Sequence, residues 1–386
     1  MTDPADLLDL DGLLTEEERT LRDTVRRFLD ERIRNQVPGW YAQGVLPPEV
    51  APQFGELGLL GMHLDGYGCA GAGAVAYGLA CLELEACDSG LRSLVSVQGS
   101  LAMTAIHRFG SEEQRQRWLP EMAAGRAIGC FGLTEPDHGS DPAGMRTTAR
   151  RDGTDWILDG GKMWITNGGI AAVAVIWART DEGIRGFLVP TDTPGFHARP
   201  VGEKLSLRAS VTSELVLDSC RLPADAQLPR AHGLRAPFAC LNEARYGIVW
   251  GAMGAARDCY TTALRYAADR TQFGRPIAAF QLTQAKLAGM AVELSKGMLL
   301  ALRLGRIKEA GGLAPHQVSL GKLNNVRQAL EIARTARTIL GANGISAEYP
   351  VLRHAANLES VLTYEGSEEI HTLVLGEAVT GVAAYR

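Results

Sequence analysis

The chain has 386 residues, a net charge of −5 at pH 7 and 46% hydrophobic residues, which is ordinary for a folded globular protein. Its length exceeds the size at which one hydrophobic core stops growing, so we expect two or three structural lobes. The mildly acidic balance, without a basic stripe interleaved with aromatics, argues against nucleic-acid binding. The longest apolar runs, such as 171–178, are too short for membrane insertion.

The N-terminus and the cysteines predict a cytoplasmic protein. Residues 1–7 are acidic and lack the patterns of a secretory signal and of an arginine-rich transit peptide. The seven cysteines are scattered and form no Cys-x-x-Cys motif, so we expect reduced thiols. The eight histidines show no His-x-x-x-His spacing, so the sequence gives no support for a metal site.

Residues 14–129 show helical patterns. The segment 15–18 (Thr-Glu-Glu-Glu) is a capping box that predicts the start of a helix, and 111–114 (Ser-Glu-Glu-Gln) is a second one. A glycine-rich patch at 66–73 interrupts the region. Residues 74–87 after it are nearly all apolar, which predicts a buried helix.

The pattern changes near Cys130 to short β-rich segments. Residues 156–158 and 163–166 flank Asp-Gly-Gly at 159–161, which predicts a β-hairpin. Turn residues separate the further predicted strands at roughly the spacing of a small barrel or sandwich. These strands are 173–177, 186–190 and 213–217.

Helical periodicity returns at about Pro237 and continues to the C-terminus. Two long amphipathic segments, 280–309 and 313–341, suggest helices packed side by side in a bundle. We therefore predict three domains. They are an N-terminal helical domain (1–129), a central β-domain (130–236) and a C-terminal helical bundle (237–386).

Four segments carry candidate binding residues, each with a plainer alternative. The loop 129–142 could face a phosphorylated or flat ligand, although its turn formers also suit a connecting loop. Trp164 could cover an aromatic ring or fill the core. Segment 269–277 offers two arginines and a phenylalanine for a pyrophosphate and a ring, or a solvated arginine face. Segment 340–344 is a glycine-rich helix end.

Two charged residues are candidates for chemistry. Arg92 lies among small and apolar residues, and a buried cation needs a partner or a carboxylate ligand. Glu85, seven residues earlier and on the same predicted helical face, could pair with it. Glu365 precedes Gly366, and apolar surroundings would raise its pKa toward the range of a general base. The alternative for Glu365 is a helix cap or an ordinary loop acid.

Taken together, the motifs at 131–141, 164–168, 269–274 and 364–366 resemble those of the acyl-CoA dehydrogenases. The motifs follow the family's order, and the resemblance runs from about Leu14 to the C-terminus. Four further segments look like the glutaryl-CoA-oxidising subfamily of that family. They are 88–93, 206–210, 241–248 and 363–366.

The resemblance implies a fold that is mainly α with a central β-domain. The family combines an N-terminal helical domain, a small β-barrel and a C-terminal four-helix bundle, usually in a homotetramer with one FAD per subunit. The implied activity is α,β-dehydrogenation of an acyl-CoA, here oxidative decarboxylation of glutaryl-CoA to crotonyl-CoA and CO2. Electrons then pass to an electron-transferring flavoprotein. Three alternatives stay open: a short-chain or dicarboxylyl-CoA dehydrogenase without decarboxylation, an oxidase, and a non-catalytic acyl-CoA- or flavin-binding module.

The resemblance also implies roles for individual residues. Glu365 matches the catalytic base, with its backbone N–H near the thioester oxygen. The expected substrate-binding residues are Glu85, Arg92, Ser93, Ser96, Ser140, Phe238, Leu241, Asn242, Arg245, Tyr364 and Gly366. The expected FAD-binding residues, several of them across a subunit interface, are Phe131, Leu133, Thr134, Ser140, Trp164, Ile165, Thr166, Arg270, Phe273, Gln281, Leu340, Gly341, Ala342, Asn343, Ser367 and Glu369. Ala342 departs from the family, which commonly has glycine there.

Overall fold

The computed structural model describes residues 6–384. Residues 1–5, which belong to the segment that shows no leader pattern, and residues 385–386 lie outside the described part. The chain folds as helices, then strands, then helices, in the predicted order. The predicted fold class, mainly α with a central β-domain, is confirmed.

Seven α-helices precede the sheet in the described residues, and a π-helical segment (Val97–Met103) joins the fifth to the sixth. They are α1 (Glu16–Arg32), α2 (Val37–Gln43), α3 (Val50–Glu56), α4 (Ala74–Cys87), α5 (Ser89–Ser96), α6 (Thr104–Phe109) and α7 (Glu112–Ala123). Both predicted capping boxes are present. The Thr15 hydroxyl accepts from the Glu18 N–H at 3.2 Å while the Glu18 carboxylate accepts from the Thr15 N–H at 2.8 Å, and Ser111 and Gln114 repeat the arrangement.

The central β-domain is a single curled sheet of seven strands in the order β1-β4-β2-β3-β7-β6, with β5 paired to β4. The strands are β1 (Gly129–Gly132), β2 (Thr148–Asp152), β3 (Asp155–Thr166), β4 (Val173–Thr180), β5 (Gly183–Pro190), β6 (Phe196–Pro200) and β7 (Thr212–Leu222). The strands predicted at 173–177, 186–190 and 213–217 lie within β4, β5 and β7, and their prediction is confirmed.

The predicted hairpin at 159–161 is wrong. Strand β3 continues through this segment, and its pairing with β7 shifts register between Leu158 and Gly160. Gly160 has φ +145°, and a Cβ there would lie 2.6 Å from the Thr147 Oγ1 atom of the neighbouring chain segment. Gly160 therefore forms an irregularity inside one long strand, where a side chain would not fit, instead of a turn between two strands.

The remaining helices form the bundle, with a two-stranded ribbon between the first two. They are α8 (Arg235–Asp269), α9 (Gln281–Glu309), α10 (Pro315–Ile339), α11 (Val351–Thr363) and α12 (Glu368–Thr380), and the ribbon consists of β8 (Thr271–Gln272) and β9 (Arg275–Pro276). One apolar core runs from α1, α4 and α5 into α8, α9, α10 and α11, so both helical regions share a core. One face of the sheet has its own core, and the other face packs in a second core with α6, α7 and the start of α8. The boundaries predicted at 129/130 and 236/237 stay predictions.

Helix α4 is buried, as predicted, and it also carries two buried glutamates. Glu83 is held bidentately by the Arg257 guanidinium, at 2.8 and 2.6 Å, and is contacted by Arg26. The charges of Arg257 and Arg26 overcome the effect of burial and lower the pKa of Glu83 to about 2. The second, Glu85, belongs to the candidate site. The seven cysteines are free thiols, six of them buried. No helix in residues 6–384 has the length and apolar character needed to cross a bilayer.

Glycines let α4 and α8 approach closely. A Cβ at Gly78 on α4 would lie 2.4 Å from the Trp250 indole on α8, and a Cβ at Gly254 on α8 would lie 1.9 Å from the Leu82 carbonyl oxygen on α4. The second obstacle is backbone and cannot rotate away. The helix pair that supports both helical regions therefore depends on the absence of side chains at its crossing.

We expect Gly254→Ala to destabilise the protein by about 2–3 kcal/mol, because the added methyl group overpacks a backbone contact. Thermal unfolding of the purified protein measures the effect as a lower Tm. Gly39→Ala is the matched control, since Gly39 is also helical and a Cβ there meets nothing within 4 Å. Equal Tm values for the two variants would contradict the tight α4–α8 crossing.

Candidate functional site

The Glu365 turn, residues 364–367, connects α11 to α12. Glu365 has φ +53° and Gly366 has φ +95°, so two successive residues lie in the left-handed region. That conformation is unfavourable for a residue with a Cβ and persists only where surrounding contacts enforce it. Ser367 then caps α12 by accepting from the Ile370 N–H at 3.4 Å.

Two cations hold the backbone of the Glu365 turn. The Arg245 Nε atom on α8 donates to the Glu365 carbonyl at 2.7 Å, and Arg245 also donates to the Asn242 side-chain oxygen at 3.3 Å. The Lys322 ammonium on α10 donates to the carbonyls of Tyr364 and Gly366, the latter at 2.6 Å. Three successive carbonyls of the turn therefore accept from buried or half-buried cations.

The Glu365 carboxylate has one oxygen, Oε2, that is shielded from solvent and has no hydrogen-bond partner among residues 6–384. Burial raises the pKa of Glu365, and the positive charges of Arg92, Lys322 and Arg245 oppose the rise. The predicted direction of the pKa shift is confirmed. A half-buried carboxylate with a raised pKa and a free oxygen is suited to accept a proton from a ligand.

Arg92 is fully buried and pairs with Glu85 at 2.7 Å. The pairing was predicted, but the expectation that both residues lie on one helical face is wrong. Asp88, with φ −167° and ψ 143°, ends α4, and its side chain accepts from the Gly90 N–H at 2.8 Å to cap α5. The pair therefore joins two helices that meet at Asp88, with Glu85 on the first and Arg92 on the second.

The Arg92 guanidinium keeps one donor unused. Its Nη2 atom contacts the Tyr364 hydroxyl, whereas Nη1 has no partner in the described chain. The Ser96 hydroxyl, one turn along α5, is also buried without a partner, and the Ser93 hydroxyl lies 3.5 Å from that of Tyr364. A buried cation with a spare N–H, beside hydroxyl groups, is a site for a carboxylate ligand.

The structure brings together eight of the substrate-binding residues predicted from sequence, since hydrogen bonds and chain continuity join them to Glu365. They are Glu85, Arg92, Ser93, Ser96, Asn242, Arg245, Tyr364 and Gly366. Three others lie outside this group. Phe238 is exposed near the start of α8, Leu241 is half-buried against the apolar cluster that includes α6 and α7, and Ser140 is exposed in the loop after β1.

The predicted cofactor-binding residues of the β-domain form a second group. The Lys162 ammonium donates to the Leu133 carbonyl at 3.2 Å, and the Met163 N–H donates to the Thr134 carbonyl at 2.9 Å, so the loop after β1 is tied to β3. Trp164 is 58% exposed with φ +62°, so its interpretation as a core residue is wrong. In the same group, Phe131 and Ile165 are buried and Thr166 is half-buried.

The other predicted cofactor-binding residues lie on the helical bundle. Phe273 is 93% exposed, and the Asn343 side-chain amide donates to the Tyr266 hydroxyl at 3.0 Å. No hydrogen bond in residues 6–384 joins this group to the β-domain group. Arg270, Phe273, Gln281, Gly341, Ala342, Asn343 and Glu369 are exposed, Ser367 is half-buried and Leu340 is buried.

Sequence reasoning missed Lys322, although the sequence contains a signal for it. Lys322 is 1% exposed and lies on the buried stripe of α10 with Val318, Asn325 and Val326. A lysine at a core position of a helical pattern is rare unless it is paired. That pattern marks Lys322 as a residue with a specific partner.

Family models cover most of the chain. Residues 15–126 match the acyl-CoA dehydrogenase N-terminal domain, 130–220 the middle domain and 231–380 the C-terminal domain. The chain is 35% identical over 369 residues to the human mitochondrial short-chain specific acyl-CoA dehydrogenase, covering 94% of this chain and 90% of that protein.

Solved structures agree with the family models. A glutaryl-CoA dehydrogenase from Mycobacterium smegmatis in complex with FADH2 has 65% identity and a TM-score of 0.99, with 100% of both chains covered. Butyryl-CoA dehydrogenase from Megasphaera elsdenii has 30% identity and a TM-score of 0.91, with 95% of this chain and 98% of that chain covered.

We expect Glu85→Met to destabilise the protein by about 3–5 kcal/mol, because Arg92 would remain buried without its counter-ion. The double variant Glu85→Met/Arg92→Met replaces the pair with apolar side chains and should recover much of that loss. Urea unfolding of the two variants and of wild type measures the difference. A double variant no more stable than Glu85→Met would contradict a charge-desolvation cost at Arg92.

Proposed function

The chain belongs to the acyl-CoA dehydrogenase family, and on that premise we propose that it oxidises and decarboxylates glutaryl-CoA to crotonyl-CoA and CO2 with FAD. The observation that carries the proposal is the buried Arg92 guanidinium, whose Nη1 atom has no partner in the described chain. Glu85 neutralises the cation but leaves that donor free. A substrate with a second carboxylate beyond its thioester would accept from it.

A dicarboxylyl substrate would satisfy several groups at once. Its distal carboxylate could accept from Arg92 Nη1 and from the Ser96 hydroxyl, both of which are buried without partners in residues 6–384. Its acyl chain would then reach toward Glu365, since Tyr364, the neighbour of Glu365, also contacts the Arg92 guanidinium. An apolar acyl chain would leave the Arg92 donor and the Ser96 hydroxyl unsatisfied, which is costly in a buried site.

The residues around Trp164 fit a flavin. An indole held exposed in a left-handed backbone conformation is a suitable surface for a planar ring. We propose that Trp164, Thr134 and Thr166 hold the flavin, with Phe131, Leu133, Ile165 and Ser140 completing that side. The phosphates and adenine would be held by the exposed bundle residues of a partner subunit. These are Arg270, Phe273, Gln281, Leu340, Gly341, Ala342, Asn343, Ser367 and Glu369.

Glu365 would act as the base at the carbon next to the thioester. Its free oxygen takes the α-proton, and the positive charges of Arg92, Lys322 and Arg245 favour the ionised form that accepts it. When bound, FAD supplies an acceptor for the β-hydrogen as hydride. Loss of CO2 from the distal carboxylate then leaves an electron pair on the chain, and Glu365 returns its proton to the terminal carbon to give crotonyl-CoA.

The proposal extends to assembly and partners. Arg270, Phe273 and Gln281 are exposed on one chain, which leaves them free to hold FAD between subunits of the homotetramer that the family resemblance implies. Electrons would leave through an electron-transferring flavoprotein. We propose a cytoplasmic enzyme, because its seven cysteines are free thiols.

A second candidate keeps the chemistry and changes the substrate. The 35% identity to the human short-chain specific enzyme favours a short-chain acyl-CoA oxidised without decarboxylation. Steady-state assays of glutaryl-, butyryl- and isovaleryl-CoA with an artificial electron acceptor, with products identified by mass, separate the two candidates. Release of CO2 supports the first candidate, and a faster reaction with butyryl-CoA supports the second.

We expect Glu365→Gln to bind FAD normally but to lose anaerobic flavin bleaching by acyl-CoA, because an amide cannot accept the α-proton. The rate should fall at least about 10²–10⁴-fold. Stopped-flow absorbance of the flavin bands measures it. Glu359→Gln is the control, since Glu359 is an exposed carboxylate on α11 that pairs with Arg334. Bleaching at the wild-type rate in Glu365→Gln would refute the base.

We expect Arg92→Ala to reduce kcat/KM for glutaryl-CoA far more than for butyryl-CoA, by about 10²-fold or more for the first, because only glutaryl-CoA offers a carboxylate to the guanidinium. Because this change leaves Glu85 unpaired, Glu85→Met/Arg92→Met provides a second form with the same expected selectivity. Steady-state kinetics on both substrates measures the ratio. Equal losses on both substrates in both variants would reject the carboxylate site.

A further inference from the structure

Lys322 is a buried charge to which the family resemblance assigns no task, and the proposed mechanism uses only its positive charge. It lies about two turns into α10, facing the Glu365 turn, and is 1% exposed. Burying an ammonium costs free energy unless it is paired or hydrogen-bonded. A neutral donor side chain could satisfy the carbonyl acceptors of the Glu365 turn. The presence of a charged lysine at this buried position therefore indicates an additional role.

Lys322 contacts the backbone on both sides of Glu365, the proposed base. Its ammonium donates to the carbonyls of Tyr364 and Gly366, on either side of Glu365, and Arg245 donates to the carbonyl of Glu365 itself. Tyr364 and Gly366 lie beyond the last residue of α11, where carbonyls lack helical partners. Lys322 therefore fixes the backbone at both ends of a residue whose φ of +53° is unfavourable.

We propose that Lys322 is a positioning residue for the base, which holds the Glu365 turn from α10 so that the free oxygen of the Glu365 carboxylate stays available to the substrate. This inference rests on the proposed function, because it gives Lys322 a task in that reaction. Arg245 holds the middle carbonyl from α8, so the turn is fixed between two helices that pack against each other. Loss of Lys322 would free the outer two carbonyls and let Glu365 leave its left-handed conformation.

The charge of Lys322 has a separate consequence. Four charged or titratable groups face it: Glu365 and Tyr364 on the turn, Arg245 on α8 and Arg92 on α5, and His371 of α12 packs on Gly366. Burial and the two arginines lower the pKa of Lys322, while the Glu365 carboxylate raises it. The nearby cations also help to lower the pKa of His371 to about 3, so that imidazole is neutral at pH 7.

The sign of the electrostatic effect on Glu365 follows directly. Burial raises the pKa of Glu365, and Lys322 is one of the cations that oppose the rise. Removing the ammonium therefore raises that pKa further. Because only the ionised carboxylate accepts a proton, activity is lost as pH falls through this pKa, and the acidic limb of the rate profile moves to higher pH.

Two variants of the flavin-loaded enzyme separate backbone contact from charge. Lys322→Met removes donor and charge, whereas Lys322→Gln keeps a donor. We expect both to move the acidic limb of the kcat profile up by roughly one pH unit. Only Lys322→Met should also lower the plateau kcat, by about 10²-fold through misplacement of the base, with KM within about twofold. Lys296→Met, an exposed lysine paired with Glu293, should match wild type.

A crystal structure of Lys322→Met provides a readout that does not depend on turnover. We expect Glu365 to leave the left-handed region in that variant, and an unchanged φ would overturn the proposal. An unshifted acidic limb in both variants would also overturn it. If glutaryl-CoA is not the substrate, kcat against pH measured with butyryl-CoA tests Lys322 equally well, because Glu365 would remove the α-proton from either substrate. Failure of the proposed function is seen instead in wild type, as the absence of CO2.

Discussion

The candidate site depends on one constraint: the buried charges near Glu365 are not solvated by water and must be paired within the protein. Arg92 is fully buried and requires Glu85, and Lys322 requires the carbonyls of the Glu365 turn. Each pairing occupies some of the N–H groups of a cation, and the fold fixes the direction in which the remaining N–H groups point. The only donor of Arg92 without a partner in the described chain is Nη1. The polar groups that the site offers to a ligand are thus those that the protein does not use to pair its own buried charges.

The same close packing that stabilises the helices also builds the site. Gly251 on α8 faces the Glu85–Arg92 pair, and a Cβ there would lie 2.1 Å from the Glu85 carboxylate. Arg245 on the same helix, less than two turns before, holds the Glu365 carbonyl. The crossing of α4 over α8 therefore sets both the position of the buried cation and the position of the base. A shift in this crossing would change both together.

The sequence predicted features that depend on local chemistry, and it failed where distant contacts decide. The Thr15 and Ser111 capping boxes need only neighbouring residues, and both are present. The glycines at 160 and 161 resemble a turn locally, but contact with Thr147 and pairing with β7 keep the strand continuous. The core position of Lys322 on α10 marks it as a paired residue, but the sequence does not identify its partners, which lie about forty residues away on another segment.

The proposed selectivity follows from the cost of an unsatisfied buried group more than from attraction. A cavity lined by apolar atoms distinguishes acyl chains by only about 1–3 kcal/mol per methylene group. A site with buried polar groups rejects a ligand that cannot pair with them more strongly, because those groups lose water without gaining a partner. Arg92 and Ser96 are such groups. A monocarboxylyl chain of the right length would leave the Arg92 guanidinium and the Ser96 hydroxyl without partners and would therefore bind poorly.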